Sequence, residues 1–571
     1  MKTTFYTLIL FVSLSSCQRD RNADFDVFKN NFIKNLWIQF PEWATSQGFY
    51  KYDNQLPIPN DQTRSKQLDF YGKYNDSLMN FDLEQLSDNN ITDYHLIKNQ
   101  VESFIFNTNE LRSHEWNPSE YNVCGGFSQI LEGNYGTLNK RLQSFSEKLR
   151  AVPAYYEAAK QTIKNPTAEH LALAMEQNTG GISVFETDIV DRLAKSDLAA
   201  AEKDTILNRC KTATKAVRDY VLFLKKLDNP TPTDFRLGKE LYTRKFNFEI
   251  QSGYSVESIY KKAVDHKTDL HNKMFLLADK LWSKYCTNQE KPATKLELIK
   301  TVIDKISVQH STPENFQSDI EKQIPELVAF AKSKNLLFID PKKPLVVRKE
   351  PDYMAGVAGA SISAPGPYDK NANTYYNVGS MAGWDKEKSE SYLREYNDYI
   401  LQILNIHEAI PGHYTQLVYS NQSPSIIKSI FGNGAMIEGW AVYTEKMMLE
   451  SGYKNSDEMW LMYYKWNLRS TCNTILDISV HTKNMSKEQA ISLLCNDAFQ
   501  QNAEAEGKWK RVTLTQVQLC SYFTGYTEIM DFREELKKRD ADKFDLKAFH
   551  EKFLSYGSAP VKYIKELYLK N

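Results

Sequence analysis

His407-Glu408-Ala409-Ile410-Pro411-Gly412-His413, with Glu438-Gly439-Trp440-Ala441-Val442-Tyr443-Thr444-Glu445 downstream of it, decides how the rest of the chain is read. Ahead of it, from about Ser389, apolar residues at Leu393, Tyr396, Ile400 and Ile403 recur with the helical period. That period carries His407 onto the same inward stripe, so its imidazole is expected to be buried. Glu408 follows directly, as the general base follows the first ligand in the H-E-x-x-H pattern. A neutral imidazole is a good zinc ligand. The adjacent carboxylate, turned by about 100° around the helix, can reach a water on the metal rather than the metal itself.

The second histidine comes six positions after the first, about 240° around a continuous helix, which would splay the two rings apart. Pro411 offers no N–H to a helix, and its ring clashes with the carbonyl of His407. Gly412 then tolerates the backbone angles of a break. The helix is therefore expected to kink or bulge at 410–412 and bring His413 back toward His407. Without the break, Tyr414 would lie beside His407. Glu438 and Glu445 open and close a short helical segment and share one face of it, with the small Ala441 between them. Two histidines and one glutamate leave a fourth position for water, as in a catalytic zinc site. Glu438 is favoured as the ligand and Glu445 as the carboxylate that orients a ligand histidine, with the reverse assignment left open.

At these residues the chain resembles the bacterial domain-of-unknown-function family 885, marked by an H-E-x-x-P-G-H segment and a downstream E-G-W-A-x-Y-x-E segment. Both stand here unbroken. The likeness extends over most of the chain, from the Pro41-Glu42-Trp43 region to the C-terminus. It implies a mainly α, large multi-helix fold of the gluzincin metallopeptidase kind, with a small β-sheet flanking the zinc helix. Family members often carry a histidine at the position of Tyr414, which leaves His413 as the second ligand available here.

Met1 to Cys17 reads as an export signal: Lys2, the apolar run Phe5 to Val12, then Leu14-Ser15-Ser16-Cys17. That ending looks like a bacterial lipobox, in which the cysteine is acylated and anchors an otherwise soluble domain to a membrane. The expected product is an exported lipoprotein on a periplasmic or cell-surface face, and an ordinary cleaved signal is the alternative. The apolar run is too short for a spanning helix, which needs about 20 residues.

The rest is ordinary in composition: 571 residues, 42% hydrophobic, 25% charged, Lys+Arg 71 against Asp+Glu 72. This balance, with no nucleic-acid motif, points away from nucleic acid and leaves the lipid anchor as the only expected tie to a membrane. The cysteines other than Cys17 are scattered without a C-x-x-C spacing and are expected to be small buried hydrophobes. From about Asp24 to Lys226 the pattern is amphipathic and helical. Asp228-Asn229-Pro230-Thr231-Pro232-Thr233 is the clearest break, dividing an N-terminal helical region, 18–230, from a catalytic region, 231–571. Beyond it His266 and His271 lie off the apolar stripe of their helix and are expected at the surface.

Leu345-Val346-Val347-Arg348 is the best strand candidate, and a Gly-rich segment then leads to Thr374-Tyr375-Tyr376-Asn377-Val378. In gluzincin peptidases a strand ahead of the zinc helix takes the substrate as an added antiparallel strand. The resemblance therefore points to 356–378, with Tyr375, Tyr376 and Asn377, as substrate-binding; a purely structural hairpin is the alternative. Asp477 and His481, with Arg469 before them, lie in a helix-like run, and His481 shares a face with Asp477. Within the resemblance His481 matches a family histidine near the site, able to donate to an oxyanion, with Asp477 behind it. The plain alternative is a solvated pair. Glu504, Arg511, Gln518, Tyr522 and Gly525 fall on a family E…R…P-G-Q…Y-x-x-G pattern, although Thr515-Gln516-Val517-Gln518 lacks its Pro-Gly. Tyr522 becomes a candidate phenol donor and Arg511 a candidate anchor for a substrate carboxylate.

Together these readings predict hydrolysis of a peptide by a zinc-activated water. Zn2+ would be held by His407, His413 and Glu438, with Glu408 as base and His481 or Tyr522 steadying the oxyanion. A hydrolase of another amide or ester would use the same ligands. A non-catalytic binding lipoprotein would not need Glu408, and no G-x-S-x-G supports serine chemistry.

Overall fold

The computed structural model describes residues 20–343, 345–350, 360–369 and 373–570. The leader and Cys17 lie outside them. The fold is mainly helical with one small sheet, as expected. No described helix is long and apolar enough to cross a membrane.

The apolar residues form several cores. Phe127, Phe145, Tyr156, Phe185 and Tyr220 build one within the N-terminal helices, and the irregular stretch 227–237 separates it from the largest core, which runs from Tyr242 to Ile564. The first helices are not independent of the later part. Phe25, Phe32 and Trp37 share a core with Ile427, Ile430 and Phe431, and Lys428 reaches Asp93 at 2.6 Å beneath the surface. Large buried side chains of this kind contribute about 1.5–3 kcal/mol each. The six described cysteines are free, and all but Cys495 are buried. His266 and His271 correct the surface expectation: both are half-buried, with Nε2 on Asn467 Oδ1 and on the Asp497 carbonyl, each at 2.8 Å.

The sheet holds β1 (Leu345–Lys349), β2 (Ala360–Ser363) and β3 (Thr374–Val378) in the order β1-β3-β2. β1 runs parallel to β3, with Leu345 opposite Thr374; β2 runs antiparallel to it, with Ser363 opposite Tyr375. The third strand in sequence is thus the middle one, and both of its edges are taken. This corrects the substrate role given to its residues. Tyr376 is fully buried and donates its hydroxyl to Asn405 Oδ1 at 2.8 Å, tying the sheet to the helix that carries His407. Asn377 is spent on Ser363 and Arg348, and the Arg348 guanidinium lies 4.0 Å over the Tyr375 ring. Among the described residues, β2 beside the His407 helix is an outer strand that an extended chain could join.

The helix expected from Ser389 is two helices, Lys386–Glu395 and Asp398–Glu408. Asn397 starts the second by accepting from the amides of Tyr399 and Ile400, a cap that competes with continuing the first. Leu393, Tyr396, Ile400 and Ile403 still face one core. The His407 helix ends at Glu408, and a new helix, His413–Ser420, begins after the break. The Ile410–Pro411 peptide is cis. Gly412 donates to the Ile406 carbonyl at 3.0 Å, so close that a Cβ there would fall 1.8 Å from the oxygen of His407. Only glycine fits.

Candidate metal centre

The break at 409–412 turns His413 back onto His407. Their rings stand perpendicular with centroids 4.7 Å apart. The indole of Trp440 fastens the turn by donating to the Pro411 carbonyl at 2.9 Å, which also brings the helix Gly434–Glu450 against it. Glu438 from that helix completes the group: its Oε2 lies 3.3 Å from His413 Nε2 and 3.6 Å from His407 Nε2.

The 3.6 Å contact is too long for a hydrogen bond and the 3.3 Å one is not aligned as one, so Glu438 Oε2 is a buried acceptor without a hydrogen-bond partner. Two imidazole nitrogens and a carboxylate oxygen this close without hydrogen-bond geometry are atoms that one cation can bridge. Metal–ligand bonds of about 2.0–2.1 Å in a tetrahedron place ligand atoms roughly 3.3 Å apart, close to these spacings. His407, Glu408 and His413 can also present one ligand atom each within 4.8 Å of one another, so the Glu408 carboxylate is within reach of the same two imidazoles. The donor set therefore fits a divalent cation.

Glu445, one helical face along from Glu438, is fully buried. Its Oε1 accepts from His407 Nδ1 at 2.7 Å and from Trp466 Nε1 at 3.0 Å. With the Nδ1 proton so engaged, Nε2 is the nitrogen left free to ligate. Sequence favoured Glu438 but left the reverse open; in the structure Glu438 lies against both imidazoles and Glu445 behind His407. Trp466 was not foreseen, since nothing local links an indole on a later helix to this carboxylate.

Electrostatically the centre calls for positive charge. Burial lowers the proton affinity of His407, but Glu438 and Glu445 outweigh it and raise its pKa to about 10. Burial alone would raise Glu438, yet the two imidazoles hold it well below the usual carboxylate range. Burial raises Glu408 against the pull of His413 and His407, and burial likewise raises Glu445. Three carboxylates set around two imidazoles are the balance a divalent cation would complete.

Tyr522 stands on the other side. Its ring is near-parallel to that of His407 at 6.4 Å, and its hydroxyl accepts from Arg511 Nη2 at 3.1 Å. Burial and Glu438 push its pKa up to about 12, so the phenol keeps its proton. Two glycines set this placement. A Cβ at Gly439 would meet the carbonyl carbon of Gly525 at 2.3 Å, and one at Gly525 would meet the Ala435 oxygen at 1.7 Å. The helices Gly434–Glu450 and Cys520–Asp540 therefore touch backbone to backbone, which sets Glu438 near Tyr522, one turn before Gly525.

His481 and Asp477 are not part of this cluster, which corrects the roles given to them. His481 is fully buried, with Nε2 donating to the Val512 carbonyl at 2.9 Å and its ring packed on Tyr242 and Phe235. Asp477 accepts from Tyr242 Oη at 2.7 Å, Val517 N at 3.0 Å and Leu519 N at 3.2 Å. It thereby holds the turn ahead of Tyr522. Val517, where the resembling pattern has glycine, takes φ 74, a region costly for a β-branched residue.

A family model described as "Bacterial protein of unknown function (DUF885)" matches residues 41–567. A solved structure described as "a putative lipoprotein of unknown function from Shewanella oneidensis" is 52% identical, with a TM-score of 0.85 over 95% of this chain and 99% of that one. A second, "the putative lipoprotein from Colwellia psychrerythraea", is 16% identical with a TM-score of 0.79 over 96% of this chain and 98% of that one, and shows the fold alone. No curated protein matches the chain.

Proposed function

The chain belongs to the DUF885 family, and from that premise we propose that it is a zinc-dependent hydrolase of peptide bonds. The observation that carries the reading is the convergence of His407 Nε2, His413 Nε2 and Glu438 Oε2 without hydrogen-bond alignment, with Glu408 beside them. Zinc suits two imidazoles and a carboxylate; bound there, it would supply Lewis acidity toward the carbonyl and a water acidic enough to attack near neutral pH. Glu408, raised by burial but facing two imidazoles, takes the proton of the attacking water and passes it to the leaving amine. Tyr522, protonated and steadied by Arg511, donates a hydrogen bond to the oxyanion. Glu445 keeps His407 in the tautomer that ligates. The side of β2 that is unpaired among the described residues offers the substrate backbone a strand to join. Anchoring through an acylated Cys17 belongs to the same proposal. It is supported by Leu14-Ser15-Ser16-Cys17 and by the 52% identical structure described as "a putative lipoprotein of unknown function".

The test is metal analysis of the purified protein together with hydrolysis of a mixed peptide library by wild type and Glu408→Gln. Expected are about one zinc per chain in both proteins and a loss of turnover on the order of 10²–10⁴-fold in the variant. Equal turnover in the two would remove the mechanism.

A further inference from the structure

The helix Asn502–Leu514 places Glu504, Lys508 and Arg511 at i, i+4 and i+7, a single stripe that ends at Tyr522 and the metal centre. Facing it from the helix Asp457–Lys483 is Arg469, whose Nη2 pairs with Glu504 Oε1 at 2.5 Å. Its Nη1 is buried without a hydrogen-bond partner and lies 3.8 Å from Glu395 Oε1. Glu395 is already engaged by Lys465 at 2.8 Å. Lys508 has only 4% of its side chain exposed, and its ion-pair contact with Glu504 is 3.8 Å, too long for a hydrogen bond. Arg511 donates to the neutral oxygens of Gln518, at 2.8 Å, and Tyr522.

Lys465, Arg469, Lys508 and Arg511 thus share two carboxylates, Glu395 and Glu504. Glu438, the next acid along, is taken up by the imidazoles. Surplus buried charge is costly unless a counter-charge arrives, and burial beside Arg469 already holds Lys508 well below the usual lysine range, so its proton is secured only by an incoming anion. Solvent still reaches the stripe: Arg469 and Glu504 keep 15% and 21% of their side chains accessible, although both are deeply set. Deeply set basic side chains with unfilled hydrogen-bonding capacity, partly reached by solvent and joined to Tyr522 through Arg511, describe an anion subsite.

We propose that Lys508, Arg511 and Arg469 form the subsite for the free C-terminal carboxylate of a peptide, so that the enzyme trims chains from that end. This rests on the peptidase reading above. The stripe from Glu504 to Arg511 is about 10 Å long, the length of roughly three extended residues, so the cleaved bond lies within a few residues of the terminus. A planar carboxylate suits the fork of an arginine, and the partly buried setting strengthens the pairing.

The experiment uses the metal-loaded protein and peptides identical except for a free or amidated C-terminus, plus an amidated peptide bearing a terminal glutamate. Amidation is expected to lower kcat/KM by about 30-fold, mostly through KM, as loss of a charged hydrogen bond would. In Lys508→Met the preference for the free acid should shrink toward unity, and Lys508→Arg should restore it. Equal rates on free and amidated peptides would overturn the subsite. An amidated glutamate peptide cut as fast as the free acid would assign the recess to side chains and end the C-terminal trimming. Binding of the same peptides to Glu408→Gln, read by calorimetry, is independent of turnover. Discrimination in binding with no hydrolysis by the wild type would sink the peptidase reading and keep the carboxylate subsite; hydrolysis without discrimination would sink the subsite alone.

Discussion

Two buried carboxylate–histidine pairs sit in this molecule, and they are used in opposite ways. Glu445 accepts a hydrogen bond from His407 Nδ1, and what remains is unsatisfied: Glu445 Oε2 has no hydrogen-bond partner, and His407 Nε2 lies 3.6 Å from Glu438 Oε2, too far for a hydrogen bond. Asp477, near His481, has both oxygens filled by Tyr242, Val517 and Leu519, and His481 donates to Val512, leaving only Nδ1 as a lone acceptor against the rings. Each combines one carboxylate with one imidazole. A pair whose carboxylate the chain fully consumes is framework, whereas one whose carboxylates keep unpartnered oxygens beside two imidazoles can bind a cation.

The contrast can be broken at either pair. Asp477→Ala strips the acceptor from two buried amides and a phenol and should cost on the order of 3 kcal/mol of stability in urea unfolding, with metal bound per folded chain unchanged. A variant with normal stability but weakened metal binding would move Asp477 into the site. Glu445→Gln should leave the fold intact and lower metal affinity by about 10–100-fold, measured by competition with a chelator. Unchanged affinity would class Glu445 with the framework.

A smaller effect sharpens the framework side. His550 is fully buried, with Nε2 accepting from Tyr443 Oη at 2.7 Å and Nδ1 donating to the Leu336 carbonyl at 2.9 Å. Burial pulls its pKa down to about 4. Because the folded value lies below the unfolded one of about 6.5, the unfolded chain binds more protons in between, so the contribution is complete above about 6.5 and is lost as pH falls toward 4. Wild type should lose about 2 kcal/mol more than His550→Gln between pH 7.5 and pH 5 in urea unfolding. Parallel pH profiles for the two proteins would show that the ring is not kept neutral.

Much of the centre was legible because it is local. Pro411 and Gly412 break the helix by covalent geometry, the apolar period buries His407, and Glu438 and Glu445 share a face by helical spacing. The strand at 374–378 was legible as a strand but not as the middle one, since strand order depends on pairing partners distant in sequence. Asn397 shows how one side chain, by capping, divides a helix that periodicity had joined. Asp477 and His481 were misplaced because a helix face says which residues lie together, not what that face meets.

The sequence by itself determined the helical class and the broken H-E-x-x-P-G-H turn, because these follow from backbone chemistry over a few residues. Which glutamate faces the imidazoles, which histidine joins them and where the cations gather were decided only by the tertiary structure. Those outcomes depend on the backbone contact of Gly439 with Gly525 and on which polar atoms the packed chain leaves without partners.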